Sequence, residues 1–360
     1  MADYKRLGDY IVAVDERNSD LSITLSQGIN NNKYFQQPRQ VAENSKNDKI
    51  VRHGYFAYNR ATTRNGDKIS IAYREGEDCT VSSAYQVFYI KDEELLNPHY
   101  LLLWFKRPTF DRYARFKSHG SAHEFFEWDE MCNVMLPVPS IEEQRRIVEQ
   151  YQTVERRIKN NEKLIALLEN TAQTIFRHRF VENIDPNNLP EGWRMGHIND
   201  IATLEVGGDK PNVFSETKTS ECKVPIYSNG IDEKGIYGFT NEATISEESV
   251  TISARGTIGY CFLRFEPYVP IVRLISAIPY NRKSLYFVYF LLKMQNIKGD
   301  GSVQNQLTVP FLNTEDFVIA PISEQENFYN DVNPVFQHIR TVEMEQTLLS
   351  QVKELLISKL

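Results

Sequence analysis

"PSIEEQRRIV" occupies residues 139–148 of the 360-residue chain, and "PISEQENFY" occupies residues 321–329. Each runs from Pro and Ser into Glu-Gln as a stretch of helix-forming residues begins. Gln144 and Gln325 are 181 residues apart, and the same offset separates "GSAH", beginning at Gly120, from "GSVQ", beginning at Gly301. An opening also recurs, "YKRLGDYI" at 4–11 and "WRMGHINDIA" at 193–202, at an offset of about 190. A period of half the chain is far longer than a solenoid unit of roughly 20–50 residues. It reads as two copies of one domain-plus-helix unit.

The spacing predicts a helix over 140–180, with Ser140 and Glu143 as a reciprocal capping box. Positions stepping by four and three follow: Ile147, Tyr151, Val154, Ile158, Asn161, Ile165, Leu168, Ala172 and Ile175. That is a heptad seam, with Asn161 as the polar residue that fixes register. A second helix is expected over 323–360, opened by Ser323 and Glu326. Its seam runs through Phe328, Val332, Val335, Ile339 and Val342, and after a slip through Leu349, Val352 and Leu356. Pro334 is expected to kink or delay it. An amphipathic helix of this length must bury its stripe somewhere. Antiparallel pairing of the two helices is the simplest solution; packing on their own domains or on another chain are the alternatives.

The rest reads as mixed α/β (α+β): one domain over 1–139, and a linker plus second domain over 181–322. "GYFAYN", "KISIAYR" and "CTVSSAYQVFYI" have strand character in the first half, as do "SVTISA", "TIGYCFLRF" and "YVPIVRLISAI" in the second. "NPHYLLLWFKR" (97–107) and "SLYFVYFLLKMQ" (284–295) are matching helices, the first capped by Asn97 with Pro98 at its first position. "VENIDPNNLPEGW" (181–193) is the linker.

Composition excludes several classes. Hydrophobic content of 41% supports real cores, and mean hydropathy is −0.45. The longest apolar run, "LYFVYFLL" (285–292), is far short of a membrane span. With no apolar leader in "MADYKRLGDY", a cytoplasmic protein that does not engage a membrane is expected. The four Cys lack a CxxC spacing, which points to reduced thiols rather than disulfides or zinc. Net charge is −7, unlike a generic nucleic-acid coat. Two local clusters are basic nevertheless. "FKRPTFDRYARFK" (105–117) has five bases and one acid, and "RHGYFAYNRATTRNGDK" (52–68) contains Arg60, Arg64 and Lys68. Either is a nucleic-acid face or a solvated loop surface.

Catalytic patterns fail on their residues. "NPHY" (97–100) resembles an amino-methyltransferase motif but lacks its second Pro, and no Gly-rich cofactor loop precedes it. "HEFFE" (123–127) has Glu where a zinc protease needs a second His. The 181-residue offset also sets His123 on Gln304, so the repeat does not require a metal ligand there. A non-catalytic binder is expected.

The combination resembles the specificity subunits of type I restriction–modification systems. The residues that carry the resemblance are "LPEGWRMGHINDIA" (189–202), "ISARGTIG" (252–259), "GDGSVQNQL" (299–307) and the two Glu-Gln helix starts. The resemblance implies two target-recognition domains, each reading half of a split double-stranded DNA target. It implies an antiparallel pair of spacer helices that sets the gap and docks two methyltransferase subunits. No cofactor is implied in this chain. S-adenosylmethionine belongs to the methyltransferase subunits, and ATP and Mg to the restriction subunits. The first half has "NRATTRNGDK" in the region of "ISARGTIG", which leaves Arg60 and Arg64 as alternatives for the place of Arg255.

The candidate DNA contacts are therefore Arg60, Arg64, Lys68, Arg107, Arg112, Arg115, Lys117, Ser121 and His123 in the first domain. In the second they are Lys210, Asn229, Arg255, Thr257, Ser302, Gln304, Asn305 and Gln306. Gln and Asn amides suit adenine edges, and Arg suits phosphates or guanine. The competing readings are that the amides close a local turn and that Arg255 pairs with an acidic neighbour.

Overall fold

The computed structural model describes residues 4–38, 45–62, 68–118, 124–294 and 306–360. It divides into two compact units, Met1–Asn161 with Met344–Leu360, and Glu162–Glu343. Both boundaries fall inside long helices.

In the first unit, Tyr4–Arg6 pairs antiparallel with Met135–Pro137. Four antiparallel strands then lie in the order Ile11–Val14, Tyr85–Ile90, Phe56–Asn59, Ile71–Tyr73. In the second unit, Arg194–Gly196 pairs with Phe317–Ile319, and four strands lie in the order Ala202–Val206, Ile275–Pro279, Ser249–Ile252, Cys261–Arg264. The two sheets have the same topology, so the repeat in the sequence is a repeat of fold. Each sheet packs on an apolar helix that follows its long second strand. Pro98–Phe105 begins with the Asn97 side chain accepting from the amides of His99 and Tyr100, the expected cap. Leu285–Met294 is buried along nearly its whole length. Phe56, Phe88 and Phe105 anchor one core, and Phe176, Phe287, Phe290 and Phe328 the other.

Two long strands anticipated from the sequence are broken at matching places. "CTVSSAYQVFYI" splits into Cys79–Val81 and Tyr85–Ile90 around an exposed turn at 82–84. "YVPIVRLISAI" splits into Val269–Pro270 and Ile275–Pro279. Val272 and Arg273 intervene, with φ of 54° and 65°. The short strands before the breaks belong to smaller layers: Cys79–Val81 pairs with Lys49–Val51, and Val269–Pro270 runs parallel to Val224–Tyr227.

The long helices span Ile141–Arg177, continued by a π turn at His178–Glu182, and Ile322–Ser358. In the first unit Val148 and Tyr151 are buried, with Ile147, Leu356, Ile357 and Leu360 packed on the same core. Glu155 meets Lys353 at 2.9 Å, and Glu345 takes both Arg157 at 2.9 Å and the Asn161 amide at 3.0 Å. Partner numbers fall as the first helix climbs, so the pairing there is antiparallel. In the second unit Ile165, Leu168, Ala172 and Ile175 share a core with Phe328, Val332, Val335 and Ile339, and Arg179 pairs with Asp331 at 2.7 Å. Val342 is buried; Val154, Ile158 and Leu349 are half-buried. Val352 departs from the expected seam and is 43% exposed. After the slip the inward phase runs through Leu349, Lys353, Leu356 and Leu360, and it is Lys353 that reaches Glu155.

The helix starts also differ from expectation. Ser140 Oγ accepts from the Glu143 amide at 3.3 Å, but the Glu143 carboxylate turns to Arg146 at 2.6 and 2.7 Å. The box is half made. The second helix begins at Ile322, which leaves Ser323 inside it as no cap, and Glu326 bonds Asn281 instead. Pro334 neither delays nor ends that helix. What the repeated motif supplies is its buried Gln. Gln144 Nε2 donates to the carbonyl of Pro139 at 2.9 Å, and Gln325 Nε2 donates to that of Ala320 at 2.7 Å. In each unit the amide ties the first turn of the helix to the chain just after the preceding strand. Gln144 also donates to Leu95 O and accepts from the Asn97 amide at 2.8 Å, fixing the start of the neighbouring helix. Among the described residues no helix is long and apolar enough to cross a membrane.

Candidate functional site

Strand Ser249–Ile252 runs into the segment Ser253–Tyr260, which closes on itself through Ser253 N to Tyr260 O and Gly259 N to Ser253 O, both 2.9 Å. Gly256 sits at φ +69°, a conformation that penalises any residue with a Cβ. The turn thus formed leaves Arg255 exposed at its tip. One side chain braces it. The Asn229 Oδ1 accepts from the Ala254 amide at 2.7 Å, and the Asn229 carbonyl accepts from Thr257 Oγ1 at 3.0 Å and Ser253 Oγ at 3.3 Å. The Asn229 Nδ2 donates to the Val272 carbonyl at 2.7 Å. Asn229 and Thr257 are therefore structural supports of the loop, with their polar groups engaged inside it.

Leu307 N donates to Ala254 O at 2.8 Å, forming a bridge that sets Gln306 opposite Arg255. The Arg255 guanidinium donates to Gln306 Oε1 at 3.0 Å. Arg255 has an amide partner, not an acidic one. The Lys210 ammonium lies 4.2 Å from the Phe214 ring centroid.

The first unit builds the same joint. Phe126 N donates to Arg60 O at 2.9 Å, and Ala61 bridges Phe125. Phe125 and Gln306 are 181 residues apart, the offset of the sequence repeat. By this backbone match it is Ala61, and neither Arg60 nor Arg64, that takes the position of Arg255. Arg60 is one residue earlier, with its guanidinium 5.9 Å from the Phe125 ring, 3.4 Å from Glu127 and 3.3 Å from the Ala84 carbonyl. An Arg beside Phe replaces an Arg beside Gln.

Of the remaining basic candidates, three share one cavity and two have other partners. Lys68, Arg112 and Arg115 line a cavity of about 1010 Å³ together with Lys33, Lys106, Tyr34 and Lys353. Arg115 is paired with Glu124 at 2.7 Å, and Lys117 with Glu130 at 3.4 Å. Arg107 lies over Trp104 with its guanidinium 5.6 Å from the ring. In the wall of the cavity, Lys33 and Asp111 form a buried pair at 2.6 Å, and burial pulls the Lys33 ammonium below its usual range against the attraction of Asp111. Arg64, Ser121, His123, Ser302, Gln304 and Asn305 lie outside the described residues.

Sequence reading passed over Phe125 and Arg273. Phe125 is visible once the 181-residue offset is carried two residues past His123. Arg273 gave no signal, because it sits in what reads as an uninterrupted strand.

Comparison with known proteins agrees with this duplicated architecture. The family model described as the type I restriction modification DNA specificity domain matches residues 17–170 and 190–354. A Mycoplasma pneumoniae protein named as a type I specificity subunit is 33% identical over 147 residues, covering 41% of this chain and 40% of the relative. A second from the same organism is 32% identical over 151 residues, covering 39% of this chain and 44% of its own length. The match thus spans about two fifths of these two curated relatives. The MjaIX specificity subunit of Methanocaldococcus jannaschii is 24% identical over 296 residues, which is 72% of this chain and 67% of the relative. In fold, the chain is similar to the crystal structure of a type I restriction–modification S subunit from M. genitalium. The TM-score is 0.62 at 14% identity, over 100% of this chain and 96% of that one. With its two halves matched separately by one model, the chain belongs to the type I restriction–modification DNA specificity family.

Proposed function

We propose that the chain is the DNA-recognition subunit of a type I restriction–modification complex. Residues 1–139 and 181–322 each read one half of a bipartite double-stranded target. The helices over 140–180 and 323–360 set the gap and dock two methyltransferase subunits, and restriction subunits join that assembly. The chain itself is non-catalytic. S-adenosylmethionine is held by the methyltransferase subunits, ATP and Mg by the restriction subunits, and the complex works in the cytoplasm. One observation carries this reading: the same backbone bridge joins equivalent segments in both units, Arg255 with Gln306 and Ala61 with Phe125, and each has an arginine at or next to it, Arg255 itself and Arg60 one residue before Ala61. Two similar joints with different side chains suit two readers of different sequences, since base edges are distinguished by the groups that meet them.

The test is to replace residues 1–139 with the corresponding domain of a relative, co-express the chain with its methyltransferase subunit, and map the methylated motif by sequencing. One half of the motif is expected to change. Change in both halves, or in neither, rejects the two-reader reading.

A further inference from the structure

Val272 and Arg273 are consecutive non-glycine residues in left-handed backbone, and a β-branched residue there is a genuine outlier. Such conformations persist only where surrounding structure over-determines them, and they concentrate at functional positions. Here the restraints are explicit. Val272 N donates to Gly208 O at 2.9 Å, and Arg273 N donates to Gly207 O at 3.1 Å. Gly207 lies so close to the 270–271 backbone that a Cβ on it would fall 2.7 Å from the Pro270 carbonyl carbon. On the other side the Asn229 amide holds the Val272 carbonyl at 2.7 Å. The same Asn229 accepts from Ala254, one residue before Arg255. A single side chain therefore couples the turn carrying Arg273 to the loop carrying Arg255.

Arg273 is exposed. Every other arginine of its unit has a side-chain partner: Arg177, Arg179, Arg194 and Arg282 meet carboxylates, Arg255 meets Gln306, Arg264 meets Thr251, and Arg340 lies over Phe265. Among the described residues Arg273 is the one arginine of this unit whose side chain makes no hydrogen bond, ion pair or ring contact. The matching turn of the first unit, at 82–84, carries Ser82, Ser83 and Ala84 instead.

We propose that Arg273 is a phosphate contact for the second half of the DNA target, held at a fixed distance from Arg255 by Asn229. The inference rests on the DNA-reading function proposed above. A phosphate is the chemistry favoured because the guanidinium is unpaired and fully charged on a rigid turn. Arg255, already bonded to a neutral amide, presents a patterned donor and acceptor surface suited to base edges.

The experiment measures binding of the full chain, co-expressed with its methyltransferase subunit, to its methylated-motif duplex and to a shuffled duplex across a salt series. R273A is expected to weaken both by the same factor and to lower the salt slope by about one. R273K, which keeps the charge, is expected to keep the slope. Because the guanidinium makes no hydrogen bond, ion pair or ring contact among the described residues, R273A should unfold at the temperature of the parent chain. Unchanged affinity and slope in R273A, with R255A still losing discrimination at the second half-target, overturns the inference and leaves the DNA-reading function standing. A loss that depends on sequence makes Arg273 a base reader and overturns the phosphate assignment. If R255A and R273A both leave binding and motif unchanged, both the inference and the reading beneath it fail.

Discussion

Arg255 Nη2 donates to Gln306 Oε1 at 3.0 Å, across a backbone bridge between segments some fifty residues apart in sequence. The bond engages the Gln306 carbonyl oxygen and one edge of the guanidinium. The pair acts as one unit, so its members should not contribute independently. R255A and Q306A are each expected to cost about 1–3 kcal/mol of discrimination at the second half-target, with the double variant costing less than the sum. Competition binding against duplexes altered in each half checks this. Equal loss at the first half would contradict it.

Phe125 stands where Gln306 stands in the repeat, and the fold of the joint is the same around both. Q306F should therefore fold, since the first unit accommodates that side chain at the same bridge. It exchanges an amide suited to adenine for an apolar ring suited to a thymine methyl. The second half of the methylated motif is expected to change or relax while the first half stays. Methylation mapping reads the outcome, and an unaltered motif would remove Gln306 from the reading surface.

Gln144 makes three hydrogen bonds while fully buried. Q144A leaves Asn97 N and two carbonyls without a partner, at about 1–3 kcal/mol for a buried unsatisfied group. Q144E keeps the acceptor but opposes a carboxylate to two carbonyls, so it should be at least as damaging near neutral pH. Chemical denaturation of both variants measures this. Parent-like stability would mean that the repeated Glu-Gln serves something other than the helix start.

Much of this was legible in the sequence, and the limits have physical causes. The 181-residue offset exposed the duplication, while the Asn97 cap and the seam position of Asn161 were legible because each depends on local spacing. The role of Gln144 was not legible, since its partners include Leu95 and Asn97, distant in sequence, while Ser140 and Glu143 offered a familiar local alternative. Val352 was misplaced because a heptad slip moves the inward phase by one residue, and only the Lys353–Glu155 contact shows the direction. The break at Val272 was invisible because neither Val nor Arg is a turn residue; its restraints come from Gly207, Gly208 and Asn229.

Glu155 gathers Lys353 at 2.9 Å, Lys106 at 3.8 Å and the hydroxyls of Tyr34 and Tyr151 at 3.1 and 3.3 Å. Burial pushes its pKa up, but Lys106 and Lys353 outweigh this and hold it below the ordinary 4.5. A carboxylate with a depressed folded pKa stabilises the fold above the unfolded value, and that stability is lost as pH falls through the folded value. The window is therefore below pH 4.5. E155Q is expected to lower stability at neutral pH and to flatten its decline below that point. Thermal unfolding over a pH series checks the slope, and a parent-like acid limb in E155Q would show that other carboxylates carry it.

Asn161 is 2% exposed at a seam position, and its amide meets Glu345 at 3.0 Å. Arg157 holds the other side of that carboxylate at 2.9 Å. A buried polar seam residue costs stability and selects one register, because any shift strands its amide among apolar side chains. N161L removes the amide and fills the seam, while Glu345 keeps Arg157 and stays exposed enough to be hydrated. Unfolding of N161L should therefore occur at the same or a higher denaturant concentration. Its register selection should weaken, and this is the decisive measurement. Cysteines placed at the half-buried positions 158 and 349, and separately one heptad out of register, report it through disulfide yield in a background with the native Cys replaced. The parent chain should cross-link only in the native register, and N161L should gain the shifted product. If N161L cross-links as selectively as the parent, Asn161 does not set the register and the salt bridge of Arg157 with Glu345 is sufficient.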